Sequence, residues 1–186
     1  MTKQELVSKM QEAGAFVPGK KVKLHFGDEG ARRRTDYLRT LETWGAFYPE
    51  ERIFVGFLED VHFFPEELLR AVYAFLGVDP SFRSPEPEKK VHVRSDNSMP
   101  AGVAVELARS FGGQTERLEE RLGGYASFWR LCAERLAEDP PQGSVAYPLW
   151  NSPLWAEWTR EAGTGVARPR FQSGPLASQE LTRKGE

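Results

Sequence analysis

The feature that most constrains this chain is the run Arg52-Ile53-Phe54-Val55-Gly56-Phe57-Leu58, followed after a short loop by Pro65 and the segment Glu66 to Gly77. The first part is nearly continuously apolar, bounded by charge, and rich in aromatic and β-branched residues. Such a run reads as a strand buried on both faces, as in a parallel sheet covered by helices. The second part reads as a helix. Pro65 opens it at a position where its missing N–H costs little. Glu66 and Glu67 sit at the positive end of its dipole, and Gly77 supplies the stop. Leu68, Leu69, Val72, Phe75 and Leu76 give it a broad apolar face. Strand, short loop, helix predicts an α/β domain.

The chain has 186 residues, 40% of them hydrophobic and 12% aromatic, which suffices for one compact domain and is short for two. Lys and Arg number 25 against 27 Asp and Glu, a formal net charge of −2. A dedicated nucleic-acid binder carries a basic surplus, so none is expected here. No apolar stretch approaches the ~20 residues that span a bilayer, and the first residues carry acids where a secretory signal would be apolar. Cys132 is the only cysteine, so no internal disulfide forms and the cytosol is the expected compartment.

Elsewhere the periodicity is mostly helical. Residues 2 to 13 read as a short helix, and Val22 to Phe26 as one short strand in an irregular, cationic stretch. Thr35 is placed to cap a helix whose stripe is Tyr37, Leu38, Leu41 and Trp44 and whose end is Gly45. After a proline-punctuated basic loop, helices are expected over 101–111, 115–122 and 126–138, with Gly112-Gly113 and Gly123-Gly124 as stops. Residues 145 to 158 carry Tyr147, Trp150, Trp155 and Trp158. From about residue 161 Gly, Ser, Pro and charge predominate, the composition of a loose tail. The expected division is one domain over 1–160 and a flexible tail over 161–186.

Several groups bear on chemistry. Pro18-Gly19-Lys20-Lys21 is the nearest approach to a phosphate loop, but no Ser or Thr follows it. His25, His62 and His92 lack the spacing that puts two imidazoles on one helix face, so no metal is expected. Cys132 falls with Phe128 and Trp129 on an inward-packing helix, the setting of a small hydrophobe. Glu59-Asp60, at the carboxyl end of the expected strand, lies where open α/β sheets bind ligands. The plainer reading is that these acids satisfy the next helix N-terminus or a nearby Arg. Lys89, Lys90, His92 and Arg94 alternate with Val91 and Val93 on the basic loop. Such cations bind an anion by charge-assisted hydrogen bonds, or simply face water.

The order of the segments resembles the sulfotransferases that use 3′-phosphoadenosine 5′-phosphosulfate (PAPS). The resemblance runs through Thr35-Asp36-Tyr37, Leu41, Trp44 and Phe47-Tyr48-Pro49 to Glu59-Asp60-Val61. It continues with Pro65 and the most specific piece, Phe75-Leu76-Gly77-Val78-Asp79-Pro80-Ser81-Phe82. Lys90-Val91-His92-Val93, Met99-Pro100, Leu107, Phe111, Leu118, Leu122-Gly123 and Trp129 follow in the family's order, so the match covers roughly residues 33 to 131. Phe64 stands where the family has Asp before the proline, and Val93 where it often has a polar residue.

This resemblance implies a partial P-loop-like α/β sulfotransferase domain, with a short parallel-type sheet remnant packed by several helices. It implies PAPS as co-substrate, no metal, and a hydroxyl- or amine-bearing acceptor, with Lys89, Lys90 and Arg94 at the anionic end of the nucleotide. The family's K-x-G-T/S-type loop for the 5′-phosphosulfate, and its catalytic base, have no counterpart in this sequence. In-line transfer depends on the charge stabilisation that loop supplies. The expectation is therefore a C-terminal part of the domain, truncated and inactive alone, with self-association through exposed sheet edges. The alternative is a non-catalytic interaction module on the same scaffold, with the Tyr147–Trp158 segment as its docking surface; the plainer account is that those rings cover the domain's own core.

Overall fold

The computed structural model describes residues 29–83, 85 and 97–161, and the chain divides into two compact units. The first comprises Met1–Arg39 and Arg94–Gly165, the second Thr40–Val93 and Val166–Glu186. Among the described residues the protein is mostly helical, with one small antiparallel sheet.

In the first unit, α1 (Glu29–Thr35) is followed by the start of α2 (Tyr37–Gly45). Asp36, not Thr35, caps α2: its Oδ1 accepts the Arg39 N–H at 3.0 Å. Thr35 is already committed to the preceding helix, where its hydroxyl donates to the Arg32 carbonyl at 3.1 Å. The side-chain amide of Gln114 donates to the Thr35 carbonyl at 2.7 Å and supplies an acceptor's partner at that helix end.

The body of this unit is a helical hairpin, α5 (Ala101–Leu122) and α6 (Tyr125–Glu138), which pack along their length. Between them Gly123 and Gly124 take φ of 60° and 57°, a conformation that glycine adopts without a Cβ clash. Gly112 and Gly113 do not stop α5, contrary to the sequence expectation of two helices over 101–122. The inward stripe Ala104, Ala108, Phe111, Thr115 and Leu118 runs through them in phase. Packing of that stripe outweighs the ~1 kcal/mol that each glycine costs a helix relative to alanine.

Ala101, Ala104 and Ala108 of α5 meet Ala133 and Leu136 of α6 and Val145 in one cluster, small residues that let two helices approach closely. Strand β1 (Ser98–Pro100) pairs antiparallel with β2 (Ser144–Ala146), Met99 opposite Val145. The pair closes against the start of α5, where the Ala101 N–H donates to the Gly143 carbonyl at 2.9 Å. Helix α7 (Pro153–Glu161) completes the unit by burying its tryptophans on α6.

In the second unit a 3₁₀ turn over Glu50–Arg52 leads through 53–57 to α3 (Leu58–Phe63) and α4 (Pro65–Leu76). Helix α4 forms as its sequence dictates. Pro65 begins it, Gly77 at φ 70° ends it, and the Val78 N–H donates back to the Tyr73 carbonyl at 3.0 Å. The strand expected over 52–58 is shorter and barely paired: one bridging position at Val55. The turn at Glu50–Arg52 takes the first residue of the run, and α3 takes the last. The α3 start is fixed by Asp60, whose Oδ2 accepts the Phe57 N–H at 3.4 Å. A parallel sheet is not found among the described residues; the one sheet there is the antiparallel pair. The run still packs on its helix, with Phe54 and Phe75 ring centroids 5.4 Å apart. A Cβ at Gly56 would lie 3.1 Å from Leu68 Cδ1, so glycine lets the chain pass close to α4.

Candidate functional site

Lys89, Lys90 and Arg94, the residues assigned to an anionic ligand, lie outside the described residues, as do His25, His92 and Pro18-Gly19-Lys20-Lys21. What is described is the chain on either side of residues 86–96. On the entry side, Gly77 turns the chain out of α4 and the Asp79 carboxylate closes the next turn. It accepts the Ser81 N–H and the Ser81 hydroxyl, each at 2.8 Å. The Arg83 guanidinium folds back onto the same turn, donating to the Pro80 and Ser81 carbonyls at 3.2 and 3.0 Å. On the exit side, within the other unit, Ser98–Pro100 is held in the antiparallel pair and the Asn97 carbonyl accepts the Tyr147 N–H at 2.8 Å.

Those bonds hold the Asp79 carboxyl below the usual carboxylate range; the Ser81 N–H contributes most, then the Ser81 hydroxyl, and Arg83 adds its charge. A carboxyl depressed in the folded state stabilises the fold above its unfolded value of about 3.9, and that contribution is lost as pH falls through the lower folded value. Replacing Ser81 by alanine removes the hydroxyl bond and keeps the N–H bond. Carbon NMR titration of the Asp79 carboxyl is expected to show a partial return toward the ordinary aspartate value. An unchanged midpoint would mean that the hydroxyl bond is not made in solution.

Glu59 and Asp60 fall on the first turn of α3 and are buried, 3% and 0% exposed, whereas Leu58 and Val61 of the same helix are 64% and 54% exposed. Asp60 caps the helix that carries it, through the Phe57 N–H, and not the Pro65 helix that the plainer reading of these acids has in view. Sequence periodicity gives no sign of this inversion, because an acid followed by an apolar residue ordinarily points to water. His62 is exposed and meets Phe63 edge-on, ring centroids 4.6 Å apart. Among the described residues no three His, Cys, Asp or Glu gather as a metal would require. Cys132 is 2% exposed within α6 and packs as a small hydrophobe.

The Tyr147–Trp158 segment supplies core where it reaches α7. Trp155 lies 4.9 Å from Phe128 and 5.0 Å from Trp158, and Trp158 lies 5.8 Å from Tyr125 between ring centroids. Trp158 Nε1 donates to Ser127 Oγ at 2.9 Å, and Ser127 Oγ donates to the Gly124 carbonyl at 2.7 Å. Arg135 ties the same helices from outside through Glu157 at 2.6 Å, a hydrogen bond that holds the guanidinium more firmly protonated. Trp158 thus packs in the unit's own core, as the plainer account of these rings expects.

Among the described residues no helix is long and apolar enough to cross a membrane. Comparison with family models, with curated proteins and with solved structures gives no match to this chain.

Proposed function

We propose that this chain is a sulfotransferase-like protein that contributes the basic-loop part of a PAPS site, and that the 186 residues alone do not transfer a sulfo group. The parent reaction moves the sulfo group of PAPS to a hydroxyl or amine of an acceptor in the cytosol. On this reading the domain is of the P-loop-like α/β type. The observation that carries it is the ordered resemblance over residues 33 to 131, with Phe75 to Phe82 its most specific piece. The turn at Gly77–Arg83 supports it, since internal bonds fix the point where the basic loop begins. Lys89, Lys90 and Arg94 would meet the phosphates as charge-assisted donors. No lysine in the sequence is followed by x-G-T or x-G-S, so the donor loop for the moving group is not supplied here.

Calorimetric titration with adenosine 3′,5′-bisphosphate, the desulfated product, tests the site directly. Two hydrogen bonds to charged groups at ~1.5–3 kcal/mol each predict that Lys90→Ala/Arg94→Ala weakens binding by about 100-fold or more. Binding that the double substitution leaves unchanged, or no binding by the folded chain, would overturn the assignment of these residues. Transfer of a sulfo group from PAPS to any acceptor by the purified chain would overturn its inactivity.

A further inference from the structure

Helix α5 runs unbroken from Ala101 to Leu122 through two glycines that nothing around them demands. Neither Gly112 nor Gly113 takes the positive φ for which glycine is otherwise kept. A Cβ at either position would meet nothing within 4 Å, so no close approach of another element requires them, in contrast to Gly56. Each lowers the formation constant of the helix about fivefold relative to alanine. Two further features fall at the same place. The Thr115 hydroxyl donates at 2.8 Å to the Gly112 carbonyl, the acceptor that α-helical geometry assigns to the Glu116 N–H. A side chain bonded back in this way weakens and bends a helix. Between Ala108 and Leu118, which are 7% and 2% exposed, no residue of α5 is buried.

We propose that Gly112–Gly113 is a hinge that divides α5 into two segments, each anchored by itself. The first segment is held by Ala101, Ala104 and Ala108, which pack with Ala133, Leu136 and Val145. The second is held by Leu118, by Glu119 in its ion pair with Arg130 of α6, and by the Gln114 amide on the Thr35 carbonyl. The glycines sit where neither set of anchors reaches. Opening the helix there breaks ladder bonds and gives up only the half-buried packing of Phe111 and Thr115. Relative to an alanine pair, the two glycines favour that opening about 30-fold. Bending at this point changes the angle between the segment that carries the β1–β2 pair and the segment that holds the end of α1. The hinge lies within one unit and does not depend on the nucleotide reading.

Hydrogen exchange of the full chain, read amide by amide by NMR, tests the hinge. The amides of Gly113 to Glu116 close the ladder rings that contain the pair. Their protection is expected to be about 30-fold or more below that of Ala104 to Ala108 and of Leu118. It is also expected to change little at low urea, the mark of an opening that exposes little surface, whereas protection of the flanking amides falls. Gly112→Ala/Gly113→Ala, which fills open space, is expected to raise protection at Gly113 to Glu116 (numbered as in the unsubstituted chain) by about 30-fold. Protection and urea dependence that are uniform along α5 would mean that the helix opens as one piece, and would overturn the hinge. So would a double-alanine variant whose amides at these positions exchange as before.

Discussion

Phe128→Ala is expected to destabilise the first unit by about 3–5 kcal/mol, the cost of emptying an aromatic core site that its neighbours cannot refill. Phe128 is 1% exposed and packs against both Trp155 and Trp158, 4.9 and 5.6 Å away between ring centroids. Those rings are in turn fixed by the Ser127 hydroxyl and by the Arg135–Glu157 bond, so collapse into the void would break bonds already made. With a total stability of ~5–15 kcal/mol for an ordinary domain, the loss is a large fraction of the whole. A urea titration followed by tryptophan fluorescence reads it as a midpoint lowered by about 2 M at a slope of ~2 kcal/mol/M. The result also separates the two readings of the Tyr147–Trp158 segment. If its tryptophans were anchors for a partner, removing Phe128 from beneath them would leave the free chain's stability nearly unchanged. A loss below about 1 kcal/mol, the ordinary effect of a non-core substitution, would restore that docking reading.

What was legible in the sequence was legible where the decisive signals are local. Helix α4 carries its start in Pro65, its dipole partners in Glu66 and Glu67, and its stop in Gly77, all within thirteen residues. The break at Gly123-Gly124 was equally readable, because two consecutive positive φ angles are tolerated there only by glycine. Gly112-Gly113 misled for the opposite reason: their effect on α5 is decided by a stripe of side chains packed on another helix. The run 52–58 is short enough that periodicity does not separate strand from helix, and the ends were taken by neighbours with better hydrogen-bonding options. Thr35 and Asp36 are both good caps. The choice between them turned on a bond from Thr35 to Arg32 that no pattern specifies. Lys89, Lys90 and Arg94 were selected by charge and by resemblance, and a cation's role is set by the ligand that approaches it, which local pattern does not contain.

The inverted helix α3 gives the sharpest contrast between neighbouring positions. Asp60→Ala is expected to cost the second unit about 1–3 kcal/mol. It removes the acceptor of the Phe57 N–H, the bond by which Asp60 caps α3, and leaves a buried donor unsatisfied. Asp60→Asn keeps an acceptor oxygen and is expected to fall between the wild type and the alanine variant. Val61→Ser, one residue away and half-exposed, is expected to stay within about 0.5 kcal/mol. Hydrogen exchange of the amides from Phe57 to Leu76 reads all three. The order follows from geometry: on this helix the polar face is the one the protein buries, through a carboxyl that organises the backbone around it. Were Val61→Ser costly and Asp60→Ala neutral, α3 would have ordinary amphipathicity in solution.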